Sequence, residues 1–201
     1  MAFEKTCHLS SLYNDSKGSS AGNAVDGYID GNDISTLVHT QFEANPYFEV
    51  DLGSVEHITN IRLWNRTHES DDSALPLNVF SKRLFPCIIM ISQLPFQDDL
   101  KGKEGLVACL SQSVAHVRFS EDSRLSNWNV PKFALGRYVR LQLEGSNFLH
   151  FAQIEVFGQE VMSHGPVASC SAGKFVTAAV VECMDRDGIK AAYKRTKAAD
   201  W

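Results

Sequence analysis

His39 and Arg66 are separated by twenty-six residues, and the two side-chain types suit one kind of chemistry. Arginine presents its N–H donors in a rigid planar fork, while a neutral imidazole both donates and accepts. Held at neighbouring loop tips, the pair can grip vicinal hydroxyl groups. Taken singly, His39 reads as a surface-loop histidine and Arg66 as a solvated strand-end charge. Lys82-Arg83 reads as a gatekeeping pair that keeps the following apolar strand soluble. A different chemistry is raised by Gly18-Ser19-Ser20-Ala21-Gly22, which matches G-x-S-x-G. A nucleophile elbow needs an apolar strand before the serine and a helix after it. Neither flank offers one, so the segment reads as a flexible loop, and no catalytic residue is assigned.

A third cluster is Asn23-Ala24-Val25-Asp26-Gly27, followed by the oxygen-rich run from Tyr28 to Thr36. Calcium takes about six to eight oxygen ligands, many of them carbonyls. Asp26 brings charge, and Asn23, Tyr28 and Thr36 offer backbone or side-chain oxygen. Asp26 capping a turn with no metal is the alternative, and spacing alone leaves the two even. Asn14-Asp15-Ser16 and Asn65-Arg66-Thr67 match the N-glycosylation acceptor pattern, a weak signal.

The elements that must position these residues are short strands. Phe48, Val50 and Leu52 alternate with Glu49 and Asp51, the period-two signature of a half-buried strand. Similar alternation runs through Thr59–Leu63, Val117–Phe119, Val139–Leu143 and Ala152–Val156. Phe85–Ile91 is nearly all apolar, as a central strand covered on both faces should be. Gly53, Gly136, Gly145 and Gly158 punctuate these runs. The fold class is all-β, an antiparallel β-sandwich. Residues 18–41 and 67–81 read as long polar loops.

After Gly158 the composition changes. Ser163-His164-Gly165-Pro166 reads as a linker, and Phe175–Met184 and Ile189–Ala199 favour helix. Residues 1–159 are therefore read as the sandwich domain and 160–201 as a linker and helical tail. Such a tail packs on the sandwich, pairs with another chain, or begins a further domain.

The 201 residues are 44% hydrophobic and 21% charged, with a formal net charge of -5. That is an ordinary globular composition. The net charge argues against a nucleic-acid partner, since no basic stripe is present to release counterions from phosphates. No apolar run reaches the ~18 residues of a transmembrane segment, and the first residues lack the apolar core of a secretory signal. Five cysteines (Cys7, Cys87, Cys109, Cys170 and Cys183) form no C-x-x-C pair, which excludes a zinc knuckle of usual spacing. The redox compartment stays open.

Taken together, Ser19–Gly27, His39, Asn45–Gly53, Ile61–Arg66, Gly136–Leu143 and Asn147–Gly158 resemble the F-type lectins. These are the fucose-binding branch of the discoidin, or coagulation-factor type C, galactose-binding-like superfamily. The resemblance covers roughly residues 3–158 and implies a discoidin-like jelly-roll sandwich. It implies a non-catalytic module for fucosylated glycans, extracellular or at a cell surface, with His39, Arg66 and Arg83 as hydrogen-bonding ligands. An apolar residue of the Ile34–Val38 loop would face the sugar methyl group. The family's motif has an acid two positions after the arginine, where this chain has His68. The second basic residue is displaced by an insertion to Arg83, with Lys82 as the fallback. The resemblance also implies one structural calcium held by Asn23, Asp26, Tyr28, Thr36, Ala152 and Gln153, the last in place of the usual Glu. Two alternatives remain: a discoidin-like adhesion or scaffold module that binds a protein or lipid surface, and an accessory carbohydrate module of a larger enzyme.

Overall fold

The computed structural model describes residues 1–13, 20–67, 78–97, 102–132 and 134–160, with residue 160 described by its backbone alone. The expected tail beyond residue 160 lies outside the described residues. The strands are β1 (Thr6–Leu9), β2 (Val38–Ala44), β3 (Tyr47–Trp64), β4 (Cys87–Ser92), β5 (Ala115–Phe119), β6 (Leu125–Asn129), β7 (Leu135–Leu143), β8 (Ser146–Phe151) and β9 (Gln153–Glu160). Among the described residues one α-helix, α1 (Gly102–Gln112), precedes β5, and 3-10 turns cover Ala21–Val25 and Ser81–Leu84.

The larger sheet runs β1-β3-β7-β4-β5, with β6 and β9 also paired to β3, and β2 and β8 form a separate two-stranded sheet. The pairings of β1 with β3, β2 with β8, β3 with β6 and β7, and β4 with β5 and β7 are antiparallel. β3 unites two strands that the sequence suggested separately. Its register to β7 shifts between Asp51 and Glu56, where Gly53 adopts φ 89°, a conformation that costs a side-chain-bearing residue energy. Phe48–Asp51 pairs with both β1 and β7, while Asn60–Trp64 pairs with β6. A bulge of this kind lets one strand serve two parts of a sandwich.

Phe48, Val50, Leu52, Ile61, Leu63, Ile89, Ile91, Val139 and Leu141 share the main core with Leu149, Phe151, Ile154 and Val156. Phe48 of β3 meets Phe151 of β8 edge-on at 5.3 Å, which ties the small sheet to the large one. β4 is buried along its whole length, as its apolar sequence requires. One face, with Ile89 and Ile91, enters the main core. The other, with Ile88 and Met90, packs against Phe96, Tyr138, and Leu106 and Cys109 of α1. The helix was not foreseen. It begins at a glycine, includes a second one, and leaves Val107 exposed, so its apolar stripe is weak.

The motif residues of β7 are structural. Arg137 forks onto Asp51 at 2.6 and 2.8 Å, which holds the Asp51 carboxyl below the usual carboxylate range. Arg140 is 2% exposed. It contacts Glu49 at 2.8 Å and lies over the rings of Tyr47 and Phe96 at 3.8 and 4.9 Å. Glu49 and Arg140 are direct cross-strand partners, so the pairing is set by sheet register. Among the described residues the three cysteines are free thiols, and burial pushes the Cys87 thiol up to about 12. No described helix is long and apolar enough to cross a membrane.

Removing one partner of a buried ion pair strands the other. Arg140→Ala should therefore lose about 3–5 kcal/mol of unfolding free energy, read as a lower urea midpoint. A midpoint unchanged from wild type would show that the pair does not support the sheet.

Candidate functional site

The paired strands β2 and β8 place His39 directly opposite His150, with ring centroids 5.2 Å apart. The register slips just after His39, between it and Phe42. There the Thr40 side chain turns inward, accepting from Leu149 N–H at 2.9 Å and donating to the Gln41 carbonyl at 2.9 Å. The Thr40 carbonyl lies 2.8 Å from His39 Nδ1. A carbonyl can only accept, so Nδ1 carries the proton, and the neutral ring offers Nε2 as an acceptor. Phe148 and Tyr13 flank this imidazole at 5.5 and 4.4 Å between centroids.

Arg66 lies just past the end of β3 and is only 8% exposed. Its guanidinium lies 4.2 Å from the Phe80 ring centroid. Arg83, on the Ser81–Leu84 turn, lies over the same ring at 4.9 Å and over Phe148 at 5.2 Å. Phe80 and Phe148 thus connect all three expected residues: His39, Arg66 and Arg83. Neither Arg66 nor Arg83 forms an ion pair among the described residues, and Arg66 Nε is buried without a hydrogen-bond partner. Among the described residues the cations are held by aromatic faces, which attract a guanidinium through the ring quadrupole, and not by carboxylates.

Asn65 fixes the spacing between the two arginines. Its buried amide donates to the carbonyls of Ser81 at 3.0 Å and Ser123 at 3.2 Å, and to Asp122 Oδ1 at 3.4 Å. Asp122 in turn accepts from the Ser81 hydroxyl at 2.8 Å. The end of β3 and the turn that carries Arg83 are therefore stapled together. On the opposite side the Gly31 carbonyl accepts from Thr67 N–H at 2.8 Å. A Cβ at Gly31 would stand 2.3 Å from the Asn65 carbonyl oxygen and 3.0 Å from Arg66 Cα.

Burial is the first cause that lowers the His39 pKa, and Arg66 and Arg83 lower it further against the opposing Thr40 bond. His150 lies well below the ordinary histidine value for the same reasons, burial first, and both of its ring nitrogens lack partners. At neutral pH the site therefore holds two neutral imidazoles beside two guanidiniums. Such a set offers many donors and one imidazole acceptor to a polyhydroxylic ligand, and the phenylalanine rings offer apolar surface.

Comparison with known proteins agrees with this geometry. Residues 23–79 match the profile of the NedA-like, galactose-binding domain of the F5/F8 type C family. The lectin domain of lectinolysin, solved with Lewis b antigen, superposes with a TM-score of 0.58 at 25% identity, covering 79% of this chain and 95% of that one. A Streptococcus pneumoniae fucose-binding module gives 0.57 at 22%, covering 79% and 97%. The fucolectin of striped bass (Morone saxatilis) serum gives 0.60 at 22%, covering 82% of this chain and 50% of that one. No curated protein sequence matches the chain significantly. Over residues 23–79 the chain is similar to this galactose-binding domain, and its fold is similar to that of these lectin modules.

Within the sandwich the expected calcium ligands are only partly convergent. Gln153 is buried beside the Asn23 and Ala24 carbonyls and Asp26 Oδ1, each 3.1–3.3 Å from one end of its amide, with Gly27 N–H at the other end. Asp26 Oδ1 also accepts from Tyr28 N–H at 2.8 Å, so it caps a turn as well. The Thr36 hydroxyl donates to Asp33 within its own turn, and the Ala152 N–H donates to the Trp64 carbonyl. Among the described residues no three His, Cys, Asp or Glu side chains form a metal-binding group.

Several expectations need correction. The polar loop reaches only to Leu37, because Val38–Gln41 begins β2. Leu37 and Val38 are core residues at 1% and 0% exposure, which leaves Ile34 as the exposed apolar side chain of that stretch. Lys82 is exposed, and the cation at the site comes from Arg83. Asn65 is no glycosylation acceptor, since its amide is buried and bonded. His68, Gly18, Ser19 and Asn14 lie outside the described residues. His150, Phe80 and Phe148 were missed as site residues. Only the position of His150 in β8 carried a signal, and that required the β2–β8 register.

Two outcomes follow from this geometry. Gly31→Ala should push the Asn65–Thr67 backbone away and reduce stability by roughly 1–3 kcal/mol, visible as a lower melting temperature; an unchanged melt would mean the close approach is relaxed. Because the folded-state histidine pKa values are depressed, the unfolded chain binds more protons below about pH 6.5. Stability should then fall as pH drops from about 6.5 toward the folded-state values. Denaturant titrations across that window should show a shallower slope in His150→Gln, and an identical slope would remove His150 as the cause.

Proposed function

We propose that this domain is a non-catalytic carbohydrate-binding module that recognises fucosylated glycans. The observation that carries the reading is the gathering of His39, Arg66 and Arg83 about Phe80 and Phe148, with Nε2 left as the acceptor of the His39 ring. Unpaired buried donors are costly, so a site built this way favours a ligand whose hydroxyls and ring oxygen satisfy them and rejects one that leaves them bare. Exposed Phe42, 5.5 Å from Phe148, extends the apolar surface available to a sugar methyl group. The related structures solved as fucose-binding modules or with Lewis b antigen support the same ligand class.

The test is calorimetric titration with an α-L-fucoside and with a galactoside as control. Wild type should bind the fucoside in preference. His39→Ala and Arg66→Lys should each weaken binding about tenfold or more, the cost of a lost charged or bidentate hydrogen bond. No binding by wild type at millimolar fucoside would defeat the fucose reading. Wild-type affinity in both variants would defeat the site assignment.

The exposed Tyr28, Ile29 and Ile34 favour a second reading, an adhesion module that docks these loop residues on a protein or lipid surface. Binding to such a surface that survives His39→Ala and is lost on Ile34→Asp would select it.

A further inference from the structure

The Gln153 side chain settles into a ring of oxygens in a way that bears on the expected cation. A carboxamide can be turned end for end, and its orientation is assigned by its neighbours. With Nε2 inward, it donates toward the Ala24 carbonyl at 3.1 Å, the Asn23 carbonyl at 3.2 Å and Asp26 Oδ1 at 3.3 Å. Two hydrogens serve three acceptors, so one is shared. At the same time Oε1 accepts from Gly27 N–H at 3.1 Å. The reverse orientation sets an oxygen against three oxygens and an NH₂ group against an N–H.

A cation among these oxygens would demand the reverse orientation. Oε1 would have to face inward to ligate, which would turn the NH₂ onto the Gly27 N–H. A carboxylate at this position has no such conflict, because one oxygen takes the cation while the other takes the N–H. Gln153 is 3% exposed, so water cannot relieve the mismatch, and a buried unsatisfied donor is expensive. With glutamine present, Asp26 is the one anionic side chain among these contacts, which is little charge for a divalent ion. The residues present therefore do not fit calcium.

We propose that the Gln153 amide nitrogen takes the position of the cation, so that this domain folds and holds its loops without calcium. The amide crosslinks the Ala21–Val25 turn to the start of β9. Asn23 Nδ2 in turn reaches the Leu37 carbonyl at 3.4 Å, two residues before His39. The polar link thus runs from β9 toward the strand that carries the imidazole, with no metal in it.

The experiment is thermal melting of the full chain with millimolar calcium and with excess EGTA, for wild type and Gln153→Glu, with calorimetric calcium titration of both. The wild-type midpoint should be the same in both buffers, with no calcium heat. Gln153→Glu should melt lower than wild type in EGTA and recover by several degrees with calcium, as mass action requires of a ligand that binds only the folded state. A wild-type midpoint raised by several degrees in calcium, or stoichiometric calcium binding to wild type, would overturn the proposal. So would a Gln153→Glu protein that ignores calcium. If that variant does not fold, the wild-type melts and titration decide alone. Melting and calcium heats do not depend on sugar binding, so failure here is separable from failure of the glycan reading.

Discussion

Two guanidiniums kept close together in a half-buried place are the constraint on which the site depends. Like charges at such a distance repel, and burial removes the water that would screen them. Carboxylates usually provide the remedy, yet among the described residues Arg66 and Arg83 form no ion pair. Instead Phe80 presents its ring to both, and Phe148 to Arg83. Aromatic faces stabilise a cation without occupying its hydrogen-bonding edge. As far as the described residues go, those donors are not taken up by a closed salt bridge.

The surrounding fold keeps that arrangement from relaxing. Asn65 ties the Arg66 segment to the turn that carries Arg83, Gly31 lets the neighbouring loop press against the same backbone, and the slip between β2 and β8 turns Thr40 inward beside His39. The pairs Asp51–Arg137 and Glu49–Arg140 fasten β3 to β7. The same cations and the same burial then keep the imidazoles neutral. Protonating His39 would add a third positive charge and take away the Nε2 acceptor. One electrostatic condition thus links the stability of the domain to the state of its candidate site.

Much of this was legible in the sequence. Period-two alternation located β5, β7, β9 and the two halves of β3, because half-buried strands display it, and the apolar run Phe85–Ile91 located β4. The His39–Arg66 interval pointed to two residues that lie near enough for Arg66 to lower the His39 pKa, although the β3 bulge and the loop packing that position them leave no mark in spacing. β1, β2, β6 and β8 were missed because short strands with mixed polar and apolar residues, such as Val38–Ala44, resemble loops. Phe80 and His150 were missed because their roles depend on cross-chain neighbours. Gln153 shows a different limit: the substitution of an amide for an acid was visible, but its orientation depends on the Gly27 N–H and three oxygens that only folding gathers.

The most direct test of the central claim is a crystal structure of the domain soaked with L-fucose. The account predicts one sugar in the cleft, with hydroxyl or ring oxygens within hydrogen-bonding distance, about 2.7–3.2 Å, of His39 Nε2 and of both the Arg66 and Arg83 guanidiniums. A sugar ordered elsewhere on the sandwich while these three side chains stay uncontacted would contradict it.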